Sequence, residues 1–315
     1  MAEWDISKSA AGRAEAWARE SGAYFTSASW AHVLGGLGCS SYQVWCDSTG
    51  SGGLLPVFRK GPFRAGFLGF PVGMPGLDAL TDQREREAAH LLGGRLGLDV
   101  VRASRSDVVV NESGGLALPD VWLDELQSWS AASNKRLKRD LAYAQRAAQG
   151  MRLSSVPPSP SEFHSLYADT VRAHRGSVRY TPGYFARLFE ASLAGAPIKV
   201  VVAQGPAGEL VGASVLAIDR GVGYYLHSAV SPLARGLGVS DLLLNELVDL
   251  AKRFGATRFN FMASPATQPG LVRFKQKWGG RRSLVVTKDH GVSLVGRIVV
   301  SALGVIGKWR AGRAE

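Results

Sequence analysis

The sequence predicts an α/β (α+β) protein of two units, each a mixed, largely antiparallel sheet flanked by helices. Three observations predict it. At 315 residues the chain exceeds one typical domain, which runs to ~100–200 residues. Stretches with helix and strand periodicity recur in the same order in each half, more clearly in the second. Apolar residues make up 46% of the chain, an ordinary globular share that supplies a core for both units.

In the first half, periodicity predicts helices over 10–21 and 29–37, then strands over 42–46, 54–59 and 65–70. The Ser-Thr-Gly-Ser-Gly-Gly run at 48–53 joins the first two strands as a hairpin connection would. The loop Phe70-Pro-Val-Gly-Met-Pro-Gly76 follows, then a helix over 82–96 and a strand over 99–103. Leu118-Pro-Asp120 marks the end of this unit. The expected domain limits are 1–125 and 126–290, with a C-terminal helix, 291–315, docking on the first domain.

The second half opens with a basic helix over 133–150. Leu137, Leu141, Ala144 and Ala148 form its inner face, Ser133 or Asn134 caps its start, and Gly150 ends it. Its cations Lys135, Arg136, Lys138 and Arg139 are either a solvated face or a surface that contacts phosphates. Helices over 161–173 and 183–194 precede a meander of strands over 198–203, 210–218 and 222–229. A loop over 231–238, a helix over 240–254 stopped by Gly255 and a strand over 257–262 complete the pattern.

The net charge of +11 favours polyanionic partners: nucleic acid, phosphorylated substrates or an anionic membrane face. Cys39 and Cys46, without a matching histidine cluster, argue against a structural zinc and against a disulfide scaffold. No metal is expected. Buried thiols and an N-terminus without a basic start and apolar core make a cytoplasmic location the expectation. The apolar run 292–306 is interrupted by Arg297 and is shorter than the ~20 residues that span a bilayer. Its stripe of Val295, Ile298, Val299, Ala302 and Ile306 reads first as a docked face. The second reading is peripheral membrane contact through 292–310, helped by Lys308, Arg310 and Arg313.

One segment carries chemistry. In Gly270-Leu-Val-Arg-Phe-Lys-Gln-Lys-Trp-Gly-Gly280, a short helix puts Leu271, Phe274, Lys275 and Trp278 on one face, with Arg273 and Lys277 falling away from it. An unpaired buried ammonium is too costly, so Lys275 either snorkels to water or points into a polar cleft. His227, in an alternating strand, has both a structural and a site reading. His32, His90, His164, His174 and His290 are read as surface or packing residues.

The element order of the second half is that of the N-acetyltransferase (GNAT) fold. From about Ser133 to Gly280 the sequence resembles the Fem-type (FemABX-like) aminoacyltransferases, which have two GNAT-like domains. The resemblance rests on the basic helix and on Phe163-His-Ser-Leu-Tyr167, Tyr180-Thr-Pro-Gly-Tyr-Phe185, Tyr224-Tyr-Leu-His-Ser-Ala229, Phe259-Asn-Phe-Met262 and Phe274-Lys275 with Trp278-Gly-Gly280. It is looser in the first half, at Ser27-Ala-Ser-Trp30 and Pro71-Val-Gly-Met-Pro-Gly76. The resemblance implies transfer of an amino acid from aminoacyl-tRNA to an amine of a peptide antibiotic intermediate or peptidoglycan precursor. No cofactor beyond that co-substrate is implied. It implies that Phe274 and Lys275 line the reaction channel, that Tyr225 and His227 face it, and that Tyr180, Tyr224, Arg273 and Trp30 contact substrate. It further implies that the basic helix holds tRNA. A monomer is expected.

Two departures stand against the family pattern. Val101-Arg-Ala-Ser104 lacks the aspartate that often closes the first domain, and Arg235-Gly-Leu-Gly-Val-Ser240 is similar to the acyl-CoA pyrophosphate loop, which suits the amides of a helix start. The rival readings are therefore an acyl-CoA-dependent GNAT N-acyltransferase using acetyl-CoA or another acyl-CoA, and a non-catalytic binding module for cell-wall or carbohydrate material. Acyl transfer to an amine needs a proton removed from the amine, a stabilised oxyanion and a proton returned to the leaving hydroxyl. Lys275 can supply the positive charge, and Tyr225 or His227 the proton relay. A nucleophile-elbow serine is not seen.

Overall fold

The computed structural model describes residues 4–76, 82–109, 115–174, 176–234 and 236–311, and of 82 and 303–311 the backbone alone. Within these, the chain separates into two compact units. Unit 1 gathers Met1–Leu34, Gly38–Ala117 and Leu284–Glu315; unit 2 gathers Gly35–Leu37 and Leu118–Ser283.

Unit 1 begins with a two-residue strand, β1 (Trp4–Asp5). Helix α1 (Lys8–Ser21) follows, started by the Ser7 hydroxyl accepting from the Ala10 N–H and stopped at Gly22 in the left-handed region. After α2 (Ala28–Gly35) come β2 (Ser40–Cys46), β3 (Ser51–Lys60), β4 (Phe63–Leu68), α3 (Asp82–Leu96) and β5 (Val100–Val108). Strands β1 to β4 pair antiparallel in sequence order, and β4 pairs parallel with β5 across the α3 crossover. Trp4, Val44, Leu55, Leu68, Leu92 and Val101 form the core between this sheet and α3.

Unit 2 begins within β6 (Leu116–Leu123). It continues through α4 (Lys135–Ala147), β7 (Arg152–Ser154), α5 (Pro160–Ala173), α6 (Pro182–Leu193), β8 (Ile198–Gln204), β9 (Leu210–Asp219), β10 (Val222–Val230), α7 (Val239–Arg253), β11 (Arg258–Asn260) and α8 (Pro269–Gln276). Asn134 caps α4; Ser159 and Thr181 cap α5 and α6, each followed by a proline at the first helical position. The Arg220-Gly221 turn, both residues at positive φ, closes the β9–β10 hairpin. β7 to β10 are antiparallel neighbours; β10 pairs parallel with β11, and β11 antiparallel with β6. Leu137 and Leu141 of α4 and Leu243, Leu244 and Leu247 of α7 share one apolar cluster with Tyr225, Phe259, Phe261 and Trp278.

The last strand, β12 (Arg281–Gly291), moves the domain limit. Leu284–Gly291 pair antiparallel with β5, so these residues belong to unit 1 rather than to a domain 126–290. Nothing in their local periodicity announces that partner. Likewise Leu118-Pro-Asp120, read as the end of the first unit, lies inside β6, which runs on to Leu123 in unit 2. His290, read as a surface or packing residue, is half-buried on β12 with its Nε2 3.0 Å from Glu85, which also pairs with Arg105 at 2.7 Å.

The final helix, α9 (Leu294–Ala311), corrects a second expectation. Val295 and Ile298 are exposed, at 56% and 62%, and Leu294 is exposed with them. The helix meets unit 1 through Gly296, whose missing side chain lets its backbone lie on the Asp99 carbonyl, and through Ser293, which donates to Asp99 at 2.6 Å. Backbone proximity at Gly296, not Val295 or Ile298, makes this contact. The side chains of Ile306, Lys308, Arg310 and Arg313 lie outside the described residues, as does Arg235. No helix among the described residues is long and apolar enough to cross a membrane.

Candidate active site

Two irregularities in unit 2 build the site. β10 and β11 pair only at Val222–Tyr224 and Arg258–Asn260; β10 then runs on to Val230 without β11 beside it. The second irregularity is a bulge in β10. Tyr224 lies opposite Ala217 and Tyr225 opposite Leu216, but His227 lies opposite Val215. Directly opposed residues share a face of the sheet and successive residues alternate. Tyr224 and His227 therefore share one face, and Tyr225 lies on the other.

Tyr225 goes with the apolar cluster of α4 and α7, where burial pushes its phenol up against the lowering effect of the Ser228 and Ser214 hydroxyls. The resemblance had implied that Tyr225 and His227 face one channel. The extra residue at Leu226 separates them, and alternation alone hides such a shift.

His227 is enclosed by α5 and α6. Its Nε2 lies 2.9 Å from the Tyr184 hydroxyl, and the rings of Tyr180, Tyr184, Phe185 and Tyr167 surround it, Tyr180 at 4.5 Å between centroids. Burial pulls the imidazole down to about 3, so it is neutral at neutral pH. A neutral imidazole can pass a proton through the Tyr184 bond but brings no charge. Tyr180, half-buried, is the aromatic edge of this cage.

The same face of the sheet carries a second set of buried polar groups. Tyr224 and Trp122 meet edge to face, and the Trp122 Nε1 donates to Asp120 Oδ2 at 2.9 Å. Asn260 Nδ2 donates to the same oxygen at 2.7 Å, and the Val121 N–H donates to Asp120 Oδ1 at 2.8 Å. Burial pushes the Asp120 carboxyl up, opposed by these bonds and by the ammonium of Lys275.

Lys275 comes from α8, whose start is set by Pro269. Val272 and Lys275 are its buried positions, with buried Trp278 just past its end; Phe274 and Leu271 are half-buried, and Arg273 is exposed. Lys275 does not snorkel: it is 4% exposed and its Nζ donates to the Met262 carbonyl at 2.7 Å. Burial pulls it down to about 8, against the raising effect of Asp120. Met262 itself has a φ of +63°, unusual for a residue with a side chain. Lys277, expected to be a spare cation, instead bonds Asp241 at 2.7 Å and lies 3.5 Å from Asp140.

Of the remaining candidates, Trp30 is fully buried in unit 1 against Tyr24 and Phe25, a core position with no open face. Tyr224 is buried, and its phenol is pushed strongly up by burial. Lys135, Arg136, Lys138 and Arg139 are all exposed on α4. Sequence reasoning missed Asp120, Asn260 and Tyr184. A polar Asn260 between Phe259 and Phe261 was a readable signal, because the two phenylalanines claim the core face and turn the asparagine to the other. Asp120 gave none, since Leu-Pro-Asp reads as a turn. Among the described residues no group of His, Cys, Asp and Glu is placed to hold a metal.

Residues 132–276 match a family model described as an acetyltransferase (GNAT) domain. No curated protein matches the chain in sequence. Solved structures are similar along nearly the whole chain. FemX superposes with a TM-score of 0.65 at 11% identity, covering 94% of this chain and 98% of its own. L-PGS from Bacillus licheniformis gives 0.58 at 15%, covering 92% and 95%. A tandem GNAT protein from the clavulanic acid biosynthesis pathway gives 0.51 at 14%, covering 93% and 100%. At these identities the likeness establishes the fold: a FemABX-like tandem GNAT fold.

Proposed function

We propose that this chain, with its FemABX-like tandem GNAT fold, is an acyltransferase that moves an amino acid from aminoacyl-tRNA to an amine of a peptide-type acceptor. The observation that carries this reading is the buried Lys275 ammonium, held at the end of β11 beside a strand that has lost its neighbour. A fully buried lysine costs stability, and a charge kept in such a place is a mark of chemistry. It speaks against a passive binding module, which has no use for it.

In the reaction the acceptor nitrogen attacks the ester carbonyl, and the C–N bond forms as the ester C–O bond breaks. The amine's proton ends on the ribose hydroxyl that leaves. An ammonium has three N–H donors; one holds the Met262 carbonyl, and another can meet the developing oxyanion in a water-poor site, where such a charge acts most strongly. With Lys275 near 8, the protonated form prevails at neutral pH and is lost above it.

The acyl-CoA reading rests on the loop before α7. Gly238 has a φ of +71°, and a Cβ there would lie 2.5 Å from the Ala144 side chain, so packing on α4 already requires glycine. The first turn of α7 carries Asp241, a carboxylate where a pyrophosphate would arrive. The glycine is explained without a pyrophosphate, so neither feature supports the acyl-CoA donor. Isothermal titration should therefore show no acetyl-CoA binding; micromolar binding would make this an acyl-CoA enzyme.

The exposed cations of α4 are the proposed tRNA contact. Replacing Lys135, Arg136, Lys138 and Arg139 with glutamine should weaken binding of charged tRNA about tenfold or more and flatten its salt dependence, because fewer counterions are released. Filter binding across a salt series reads both. Unchanged affinity would leave α4 a solvated face.

A further inference from the structure

Lys275 ends an unbroken run of hydrogen bonds. Its Nζ donates to the Met262 carbonyl at 2.7 Å. The Met262 N–H donates to Asn260 Oδ1 at 2.6 Å, and Asn260 Nδ2 donates to Asp120 Oδ2 at 2.7 Å. Asp120, Asn260 and Lys275 are each at least nine-tenths buried. The run connects β6, β11, the turn after β11 and α8, which no local sequence pattern links.

From this geometry we infer that Asp120 is the positioning residue of Lys275, fixing through Asn260 and the backbone on either side of the Met262 Cα where the ammonium sits and keeping it charged. The inference rests on the role given to Lys275 above. Each part of the run has a reason to exist. A buried carboxylate is costly unless its oxygens are bonded, and both are. The left-handed turn at Met262 is what aims its carbonyl at Nζ, and the Asn260 side chain holds that turn. An opposite charge within reach of a buried lysine favours its ammonium form.

The other titratable groups on this face leave the assignment to Asp120. Tyr224 faces the same carboxylate and is held neutral by burial, as is His227 further along β10, and the Asp219 carboxylate is paired with Arg220 at 3.0 Å. Arg258 lies over the Trp122 ring at 4.3 Å and is paired with Asp124. A plain scaffold of hydrogen bonds needs no anion at its far end; a device for holding an ammonium does.

The test is Asp120→Asn in the full chain labelled at the lysine side chains, with the Lys275 Nζ titration followed by NMR and kcat followed against pH. The expected result is that the midpoint of Lys275 moves down from about 8 by about one pH unit or more, and that the high-pH loss of activity moves down with it. A folded Asp120→Asn protein whose Lys275 titrates as before would overturn the inference, whatever its stability.

The asparagine amide would face the donors of Trp122 and Asn260, so this variant risks misfolding. Lys275→Met supplies the reciprocal measurement, since coupling between two charges acts equally on both. In it the Asp120 carboxyl midpoint, read from its 13C shift, should move up, and an unmoved midpoint would overturn the inference. Neither NMR measurement needs a substrate. If wild-type protein titrates as expected but transfers nothing from charged tRNA, the acyltransferase reading fails and the coupling stands.

Discussion

Lys275→Met should lower transfer by roughly a hundredfold to a thousandfold, about 3–4 kcal/mol of transition-state stabilisation, in a protein that still folds. Methionine fills the space between Val272 and Trp278 without a charge to bury, so stability at neutral pH should hold or rise. Linkage provides a second signature. The folded pKa of Lys275 lies below that of the unfolded chain, so between about 8 and the ordinary lysine value the unfolded state holds a proton that the folded state has released. Wild-type stability from this group therefore rises with pH across that window, while activity falls. Denaturation at pH 7 and pH 10 should show the rise in wild type and its loss in Lys275→Met. Near-normal turnover by the folded variant would remove this lysine from the mechanism.

Trp278→Ala should cost about 3–5 kcal/mol of folding stability. The ring is fully buried, stacked on Trp129 at 5.7 Å between centroids, and packed in the cluster of α4, α7 and Phe261. It also ends α8: its carbonyl accepts from Trp129 Nε1 at 2.8 Å and its N–H bonds the Lys275 carbonyl. Typical domain stabilities are ~5–15 kcal/mol, so the loss is a large fraction of the total. Urea unfolding followed by far-UV circular dichroism measures it. Trp278→Phe should cost much less, since the indole N–H finds no acceptor among the described residues. A loss below about 1 kcal/mol in the alanine variant would mean that other contacts hold α8 in place.

Much of unit 2 was legible because its signals are local. The cap at Asn134, the stops at Gly150 and Gly255 and the apolar stripe of α4 each depend on residues within a few positions of one another. The inward place of Lys275 was legible for the same reason, as a lysine at a core interval of a short helix. Its destination was not. The spacing allowed water or a polar cleft, and the structure chose a backbone carbonyl thirteen residues away.

By itself, the sequence determined the order of the helices and of most strands, the exposed cations of α4 and the place of Lys275 on the apolar side of its short helix, since helical and strand periods act over i+2 to i+4. Tertiary structure alone decided the rest. A bulge in β10 sent Tyr225 and His227 to opposite faces, because the side a strand residue takes depends on register with its neighbour, which a single inserted residue reverses. Pairing between β6 and β11 brought Asp120 to Asn260 from 140 residues away, and pairing between β5 and β12 returned Leu284–Gly291 to unit 1. Val295 and Ile298 of the α9 stripe stayed exposed while a glycine let the backbone make a contact with Asp99. Which strands become neighbours is settled by the burial of whole faces, a property of the assembled sheet that no short window of residues contains.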